Sequence, residues 1–594
     1  MFSSARRILR SRPWLSVTAS SVASISSYAY YVEHQTKSQA QLLVLPKDYN
    51  RDALMTYWNN RPISVIHRIF TIFHQVLPFA LSYTRDFYIL PYLSLISSSH
   101  QQNKEEMQTM YAKELRNILT SLGPAFVKLG QQLSIRPDLL PANVLFELQL
   151  LCDQVTPISD DVAKSVLEKE FQGKIQILNE NDNDTMSSLI NQNDENVIWI
   201  KDFKVVASAS LGQVYKATRL IRSTNSSTKS HQEEIAIKIQ RPEMKEKVSL
   251  DLYLLNNYGK FLDYISDKIT NQIPFHESFI NCFAHGSYNE LDYIKEAANQ
   301  NYLKKELAKR GITSDVVYIP NVYNDMTSEK VITMDWVDGI KLANAQIEDV
   351  EKLIPVGVEL FLTQLLDIGF FHSDPHPGNL YVIHKKAKSS YYDGSSSNPN
   401  ADPKPILCLL DFGLCAQIDS KSRLAMTTAI VHLLNGDYDT LINKDAKQLG
   451  FLPHDLDISN TDIQPILTKI LKEGLLESKS NLVERKRNLM SISNELNQVF
   501  FEYPFSVPPF FALITRGLGL LEGIALSGDP NFDIFQASYP YASKRAAEIY
   551  GKHSWSWLKN TLRDFELFIK GGNRSRRNKT NDENDVLMLQ SIEK

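Results

Sequence analysis

Cysteine is scarce in this chain, and there is no excess of positive charge. Its 594 residues include four cysteines, which are too scattered for a C-x-x-C metal site or a disulfide framework. With 64 basic and 68 acidic side chains the formal net charge is -4, which argues against broad nucleic-acid binding because that requires a basic face. The length and an apolar content of 43% predict a folded protein of two or three domains.

Acidic residues are absent from the start of the chain, where Glu33 is the first carboxylate. Four arginines fall within residues 1–17. An arginine-rich, serine-containing start without acidic residues is typical of a mitochondrial presequence, and the alternative is a basic disordered tail. We expect the presequence.

Charged residues are also absent from residues 14–32. These 19 positions approach the ~20 residues that span a bilayer, although six of them are serine. We interpret the stretch as a membrane anchor, with a longer cleaved presequence as the alternative. If it crosses the inner mitochondrial membrane with the arginines in the matrix, the body of the protein lies in the intermembrane space. A second apolar stretch, residues 69–83, contains His74 and Pro78 and is expected to be a buried or membrane-lying helix.

Two glycines are missing from a segment that otherwise fits a phosphate-covering loop. The octapeptide ASASLGQV, which runs from Ala207 to Val214, matches the frame G-x-G-x-x-G-x-V, yet only Gly212 retains its glycine. An ordinary β-hairpin is the alternative. Alanine resists positive φ and adds a Cβ where backbone must approach phosphate. Ala207 and Ala209 are therefore expected to restrict the ways in which a nucleotide binds.

A lysine and a carboxylate follow in the order that phosphoryl transfer requires, since this reaction depends on positioning and charge neutralisation. Lys238 ends the strand pattern IAIK, which matches V-A-I-K, and is predicted to contact nucleotide phosphates. Glu296 lies on the next predicted helix, residues 287–311, where the partner of that lysine is expected. Either residue alone would more often be an ordinary solvated charge.

The segment HSDPHPGN is the strongest local motif. Within it, Asp374 and Asn379 keep the D-x-x-x-x-N spacing of a kinase catalytic loop. Two prolines exclude a helix, which also excludes a helical metal-binding pair of His372 and His376. Asp374 is the predicted catalytic residue that orients or deprotonates an acceptor.

A D-F-G tripeptide begins at Asp411, directly after the apolar run ILCLL. Together with Asn379, Asp411 is predicted to hold Mg²⁺. No A-P-E tripeptide follows to close an activation segment. The usual platform for a peptide substrate is therefore predicted to be absent.

In combination, these motifs resemble the UbiB/ADCK family of atypical kinase-like proteins. The matching segments are KLGQ at 128–131, ASASLGQV at 207–214, IAIK at 235–238, ELDYIKEA at 290–297, HSDPHPGN at 372–379 and LDFG at 410–413. The amino terminus resembles the fungal mitochondrial branch of that family, which is associated with coenzyme Q distribution and mitochondrial lipid homeostasis.

The resemblance implies an α+β, protein-kinase-like two-lobed fold with an added N-terminal helical extension, and it implies ATP and Mg²⁺ as ligands. The family has an alanine-rich loop in place of the glycine-rich one. It also has a K-x-G-Q helix that covers the site, here Lys128, Gly130 and Gln131, with an E-x-D motif as its partner, here Glu290 and Asp292. Such a lid would occlude the cleft against protein substrates.

We predict five parts along the chain. They are a presequence and transmembrane anchor (1–40), a helical extension with the K-x-G-Q motif (41–195), a kinase-like N-lobe (196–338), a helical C-lobe (339–570) and a disordered tail (571–594). The strand pattern VITMDWVDG leads out of the N-lobe, and Met334 and Val337 within it are predicted nucleotide contacts.

Three functions fit these expectations. The first is an atypical kinase or ATPase, not a protein kinase, that acts in quinone or phospholipid metabolism at the inner mitochondrial membrane. The second is a small-molecule kinase acting on a lipid, and the third is a nucleotide-binding pseudokinase scaffold. The expected partners are inner-membrane lipids, with coenzyme Q or its precursors among them, and no nucleic acid. Protein partners and oligomeric state are left open.

Overall fold

The structure is a computed structural model that describes only part of the chain. The described residues are 43–89, 100–134, 140, 142–151, 157–178, 197–221, 231–269, 276–373, 378–385, 404–435, 437–452, 463–471, 514, 517, 521–525, 532, 541, 544 and 548. The predicted presequence, the anchor at 14–32, Asp374 and the tail from 571 lie outside them.

Helices make up the described chain before the first sheet. They are α1 (Arg51–Asn59), α2 (Pro62–Thr84), α3 (His100–Leu122), α4 (Pro124–Leu133), α5 (Ala142–Gln149) and α6 (Asp160–Phe171). Three more helices follow the first sheet strands: α7 (Met244–Ile269), α8 (His276–Asn289) and α9 (Tyr293–Lys309).

One apolar core joins the N-terminal helices to α7 and α8. It contains Trp58 of α1, Phe126 of α4, Leu252 of α7 and Phe283 of α8, all buried. Leu211, from the alanine-rich loop, belongs to the same core. The alanine-rich loop therefore shares one apolar core with the helical extension.

Helix α2 presents an apolar face to solvent. It continues into a π-helical turn at Arg85–Ile89, and within the described ranges it is the one helix long and apolar enough to cross a membrane by length and composition alone. None of its residues is buried. The expectation of a buried helix at 69–83 is therefore wrong, and the membrane-lying alternative stays a prediction.

Five strands form the first sheet, in the order β1-β2-β3-β4-β6. The strands are β1 (Ile175–Ile177), β2 (Ile198–Ser208), β3 (Gly212–Ile221), β4 (His231–Gln240) and β6 (Val331–Asp335). Only β1 and β2 are parallel, and the other neighbours are antiparallel. The β2–β3 hairpin carries the alanine-rich loop at its tip, as the alternating sequence pattern predicts.

The remaining strands form two smaller sheets. A four-stranded sheet has the order β5-β10-β9-β7, and a two-stranded sheet pairs β11 with β8. These strands are β5 (Val317–Tyr318), β7 (Ile340–Lys341), β8 (Phe370–His372), β9 (Leu380–Lys385), β10 (Lys404–Leu409) and β11 (Cys415–Gln417). Because β10 ends two residues before Asp411, the larger of these sheets sets the position of the D-F-G segment.

Further helices accompany these sheets. They are α10 (Ile347–Leu362) with a π-helical turn at Thr363–Ile368, α11 (Ser420–Asn435), α12 (Tyr438–Thr440) and α13 (Ala446–Gln448) joined by a π-helical turn at Leu441–Asp445, and α14 (Ile463–Leu471). A second large apolar core unites α9, α10, α11 and the strands around D-F-G. The helical segment that begins with α10 ends at Gly369, which adopts a left-handed conformation with φ of 72°, and strand β8 begins at the next residue.

The helix predicted over residues 287–311 is in fact two helices. Helix α8 ends at Asn289, and α9 begins only at Tyr293. Asp292 has extended backbone angles, and its carboxylate accepts a hydrogen bond from the backbone N–H of Ile294. An aspartate that caps a helix in this way starts a new one, which fixes where Glu296 lies.

Candidate functional site

Two carboxylates from distant parts of the sequence lie beside the ammonium group of Lys238. The Nζ atom of Lys238 lies 3.0 Å from each carboxylate oxygen of Glu296 and 3.3 Å from Oδ2 of Asp411. The three side chains come from β4, α9 and the segment after β10. The structure thus brings together the lysine, its carboxylate partner and the D-F-G aspartate that the motifs singled out.

The alternation of β4 explains how Lys238 faces this cluster. Ile235, Ile237 and Ile239 are fully buried in a core on one face of the strand. Lys238 therefore projects from the opposite face, as the two-residue period of a strand requires. There its ammonium lies 5.0 Å from the centre of the Tyr293 ring.

Burial and neighbouring charges set the ionisation of the cluster. Burial raises the pKa of Glu296 to about 7, although the charge of Lys238 opposes that shift. Burial would also raise the pKa of Asp411, but the charges of Lys238 and Lys128 outweigh it and hold that pKa well below its usual range. Burial would lower the pKa of Lys238, but Asp411 and Glu296 together keep it well above its ordinary value.

Both pKa values are raised, which favours the charged form of Lys238 but the neutral form of Glu296. We attribute this to the sharing of one ammonium by two carboxylates. Lys238 then stays protonated, and the proton that the cluster takes up on acidification goes to the more buried carboxylate, Glu296. At neutral pH and above, the site presents a cation beside an ionised Asp411.

The D-F-G segment is held in an uncommon backbone conformation. Asp411 has a φ of 62°, in the left-handed region that few residues other than glycine, asparagine and aspartate adopt. The carbonyl oxygen of Asp411 contacts Nε2 of His372, and that of Phe412 accepts a 3.0 Å hydrogen bond from Nδ2 of Asn299. The backbone N–H of Gly413 donates to Oδ1 of Asp411 at 3.2 Å. His372 therefore has a positioning contact that the sequence did not reveal.

Asn379 lies beside the same segment. It is buried, and its backbone carbonyl accepts a 3.0 Å hydrogen bond from the N–H of Leu410. Within the described residues there is no group of three or more His, Cys, Asp or Glu side chains that could hold a metal ion. The carboxylate of Asp411 therefore lies at D-F-G with the backbone of Asn379 bound to the residue before it, and the roles of Asp411 and Asn379 as metal ligands stay predictions. The role of Asp374 also stays a prediction, because it lies outside the described residues.

The alanine-rich loop closes in a tight turn. Ala207 pairs with Val214 across the hairpin, and the N–H of Ala209 donates to the carbonyl of Gly212 at 2.8 Å. Val214 pairs on its other side with Lys238. The loop residues predicted to cover phosphate therefore stand in register with the predicted phosphate-binding lysine.

Arg241 clamps this turn, and the sequence motifs did not identify it. Its Nε atom donates to the carbonyl of Ala209 at 3.0 Å, and its Nη2 atom donates to Oγ of Ser208 at 2.7 Å. Its own backbone N–H donates to the carbonyl of Leu211 at 2.9 Å. The sequence offers one indication of this role, which is that Arg241 follows Lys238 by three residues.

Gly212 is required by close packing beneath the loop. A Cβ at this position would collide with the hydroxyl of Tyr293 and would lie 2.8 Å from the carbonyl oxygen of Ile239. The backbone oxygen cannot yield as a flexible side chain could. The glycine that survives from the loop frame thus lets β3 approach both β4 and α9.

A buried ion pair ties the K-x-G-Q helix, α4, to the segment between α8 and α9. Lys128 Nζ lies 2.9 Å from Oε2 of Glu290. A Cβ on Gly130 would collide with Leu151, so this glycine serves the packing of the helix. The E-x-D motif was the expected partner of Gln131. The Nε2 atom of Gln131 instead donates to the carbonyl of Leu151 at 3.0 Å.

The predicted nucleotide contacts on β6 and after it are partly engaged with protein. Met334 is buried and packs with Tyr293 and Ala297 of α9. Val337 is only partly buried and packs near Ile383 of β9. These two residues therefore lie at the passage from the first sheet to the second.

Asp335 connects these two sheets, and the sequence motifs did not identify it. Its Oδ2 atom accepts hydrogen bonds from the Tyr318 hydroxyl at 2.8 Å and from the backbone N–H and side-chain amide of Asn321 at 2.8 and 2.7 Å. Its Oδ1 atom accepts from the Tyr323 hydroxyl at 3.0 Å. Since Asp335 ends β6 and Tyr318 is in β5, one carboxylate joins both sheets.

Comparisons with known proteins show which proteins this chain is similar to. Residues 183–444 match a family model described as the ABC1 atypical kinase-like domain. The Arabidopsis thaliana protein named ACTIVITY OF BC1 COMPLEX KINASE 3, chloroplastic, is 37% identical over 459 residues, which cover 76% of this chain and 56% of that protein. An uncharacterized protein of Synechocystis sp. is 32% identical over 506 residues, which cover 84% of this chain and 76% of that protein. This chain thus spans little more than half of the Arabidopsis protein.

Among solved structures, the Rio2 kinase of Chaetomium thermophilum in its ADP/Mg²⁺–phosphoaspartate complex is 14% identical. The match covers 63% of this chain and 96% of that one, with a TM-score of 0.21. The match to a kinase-like domain, with mixed helices and separate sheets, confirms the predicted α+β, kinase-like fold class. The fungal mitochondrial branch is not tested by these matches.

Proposed function

This chain belongs to the ABC1 atypical kinase-like family, and from that premise we propose that it is an atypical kinase or ATPase that binds Mg-ATP and does not phosphorylate proteins. The observation that supports this most strongly is the convergence of Glu296 and Asp411 on Lys238. A lysine held by a helix carboxylate beside the D-F-G aspartate is the arrangement that phosphoryl-transfer sites of the kinase type require.

The side chains near D-F-G suit the ligands of this proposal. Mg²⁺ prefers oxygen donors and is bound by one or two carboxylates together with substrate phosphates, so the ionised Asp411 and the amide oxygen of Asn379 would hold it. When bound, the ion would neutralise charge on the phosphates. Lys238 binds phosphate oxygens directly, and Glu296 keeps that lysine oriented. Asp374 orients the acceptor.

The lid supports the exclusion of protein substrates. Lys128 and Glu290 form an ion pair whose side chains are only 15% and 10% exposed, so the α4 helix is firmly attached over the site. No A-P-E tripeptide follows D-F-G to form a peptide platform. The acceptor of the phosphoryl group is then water or a small molecule, of which a lipid kinase activity is the second version of the proposal.

We also propose a place for this activity, the inner mitochondrial membrane with the body facing the intermembrane space. The arginine-rich start without acidic residues and the uncharged stretch at 14–32 support it. There the protein would maintain the distribution of coenzyme Q and the homeostasis of phospholipids. The proposed compartment rests on the amino-terminal sequence of this chain alone, since the Arabidopsis relative is named as chloroplastic.

The decisive experiment is Mg-ATP turnover by the purified full chain, with and without anionic liposomes. Asp411→Asn is the informative variant because asparagine tolerates the left-handed backbone at this position. Asp325→Asn, which changes an exposed carboxylate paired with Arg219, is the matched control. Phosphate release that is lost only in Asp411→Asn supports an ATPase, whereas a phosphorylated lipid supports the lipid kinase. Nucleotide binding without any turnover would instead indicate a scaffold.

The proposed location is tested separately by deleting residues 1–32. We expect the shortened chain to be released from mitochondria in fractionated cells, because both the presequence and the anchor are lost. Continued import would contradict the presequence. Lipid analysis of inner membranes from cells that carry Asp411→Asn would then link turnover to quinone or phospholipid content.

A further inference from the structure

Tyr293, the first residue of α9, carries a buried hydroxyl group without a hydrogen-bond partner among the described residues. The residue is only 1% exposed. Burying a hydroxyl without a partner is unfavourable, and native proteins rarely leave such a group unsatisfied. By contrast, the equally buried Tyr215 donates its hydroxyl to Oδ1 of Asp160 at 3.1 Å.

The unsatisfied hydroxyl lies among the groups that were assigned to phosphate binding. It touches the position where Gly212 lacks a Cβ, beneath the tip of the alanine-rich loop. The ring from which it projects lies 5.0 Å from the ammonium of Lys238. Burial raises the pKa of this phenol, and the carboxylates of Glu296 and Asp411 add to the shift, so it is a neutral O–H donor at physiological pH.

The chemistry of the surroundings restricts what could satisfy this donor. A phenolic O–H that stands beside a lysine ammonium matches a ligand oxygen that carries negative charge. Hydrogen bonds from a neutral donor to a charged acceptor are about twice as strong as those between neutral groups. A phosphate oxygen that Lys238 also contacts fits this description, whereas the adenine and ribose of a nucleotide do not.

We propose that the Tyr293 hydroxyl donates a hydrogen bond to a phosphate group of the bound nucleotide, beside Lys238, and so contributes to recognition of the polyphosphate. This inference rests on the proposed function and deepens it, because it gives a binding role to Tyr293, a residue of ELDYIKEA to which the sequence analysis assigned none. The hydroxyl is closed off beneath Gly212, so the phosphate reaches it when the turn from Ala209 to Gly212 moves outward. Tyr293 then links occupancy of the phosphate site to the position of the loop.

Tyr293→Phe tests the proposal because it retains the ring over Lys238 and removes only the hydroxyl. The measurements are the Kd values of Mg-ATP and of adenosine for the purified full chain, and the Tm of the chain without nucleotide. We expect Mg-ATP to bind roughly tenfold more weakly or worse, from the loss of one hydrogen bond to a charged group, and adenosine to bind as before. The Tm without nucleotide should stay the same or rise, since an unsatisfied buried group has been removed.

Tyr215→Phe is the matched control, because its hydroxyl already has a partner in the protein. It should lower the Tm and leave the ratio of the two Kd values unchanged. Equal Mg-ATP affinity in Tyr293→Phe and the parent would overturn the inference. So would a lower Tm together with equal losses for Mg-ATP and adenosine, which would indicate a structural role. If the parent itself does not bind Mg-ATP, the proposed function fails, which is a distinct result.

Discussion

Lys128 on the lid helix and Glu290 at the end of α8 form an ion pair of 2.9 Å that is largely withdrawn from solvent. Glu290 stands two residues before Asp292, the cap of the helix that carries Glu296. The charge of Lys128 also helps to lower the pKa of Asp411. The lid and the phosphate-binding groups therefore belong to one charged network, and a change in the lid affects the site beneath it.

Replacing Lys128 by methionine should destabilise the fold strongly. Glu290 would lose this cation while remaining in a buried position, and breaking one side of a buried pair costs about 3 kcal/mol or more. Urea unfolding of the full chain measures the change. Lys47→Met is the control, since Lys47 and Glu329 form an exposed pair that should contribute less than about 1 kcal/mol. Equal effects of the two substitutions would contradict a structural role for the lid pair.

Gly212→Ala should lower the free energy of unfolding by about 1–3 kcal/mol, the usual cost of an overpacked site. The added Cβ would meet the Tyr293 hydroxyl and the carbonyl oxygen of Ile239. Combining it with Tyr293→Phe removes one of these two contacts, so the double variant should be less destabilised than the sum of the single changes.

Gly286→Ala is the control for this prediction, because the nearest atom to its added Cβ would be Cδ2 of Leu414 at an ordinary 3.4 Å. Gly286 lies inside α8, so alanine should be neutral or stabilising by up to about 1 kcal/mol. A Gly212→Ala variant as stable as Gly286→Ala would show that β3 can move away from Tyr293.

The convergence of Lys238, Glu296 and Asp411 could be predicted from the sequence because each residue sits in a short motif and the motifs follow one another in a fixed order.

The break between α8 and α9 could not be predicted from the sequence. Apolar residues continue at helical spacing across Glu290 and Asp292, so periodicity alone predicts one helix. Only the capping hydrogen bond to Ile294 distinguishes the two alternatives.

Contacts between segments that are distant in sequence also could not be predicted, because sequence patterns do not show where the chain folds back. Arg241 directly follows β4 and Ser208 ends β2, and their hydrogen bond exists only because the end of β4 meets the turn between β2 and β3. Gln131 shares a helix face with Lys128, yet its side-chain amide donates to the carbonyl of Leu151, just after α5. Spacing along the chain specifies a shared face but does not specify the neighbour.

Glu296→Gln should change how stability depends on pH. In the folded chain the pKa of Glu296 is raised to about 7 from its usual 4.5, so the folded state binds more protons than the unfolded state between these values. The stabilisation from Glu296 is thus fully present below pH 4.5 and is lost as the pH rises through 7. Relative to Glu296→Gln, the parent should lose on the order of 3 kcal/mol of unfolding free energy across this interval. Urea unfolding at several pH values measures this difference.

Glu306→Gln provides a control with the opposite sign. Hydrogen bonds from Lys309 and Arg310 lower the pKa of Glu306, so its contribution is present above its usual pKa and is lost as the pH falls. The difference between the parent and this variant should therefore shrink on acidification. If both variants followed the same trend with pH, the assigned ionisation of Glu296 would be wrong.

Arg241→Met should loosen the alanine-rich loop and weaken Mg-ATP binding severalfold. The guanidinium makes two directed hydrogen bonds, to Ala209 and to Ser208, and methionine retains the apolar stem of the side chain without either of them. Hydrogen–deuterium exchange over residues 207–214 should become faster because the turn loses both of these side-chain contacts. Arg219 lies on β3 away from the loop, and Arg219→Met breaks its ion pair with Asp325. This variant should leave both measurements unchanged.

Arg241→Lys separates the geometry of this clamp from its charge. Lysine keeps the positive charge but lacks the planar fork that contacts two acceptors at once. We therefore expect Arg241→Lys to behave like Arg241→Met in exchange and in Mg-ATP affinity. If lysine restored the affinity while exchange stayed fast, the side chain would act on the nucleotide through its charge, and holding the loop would not be its role.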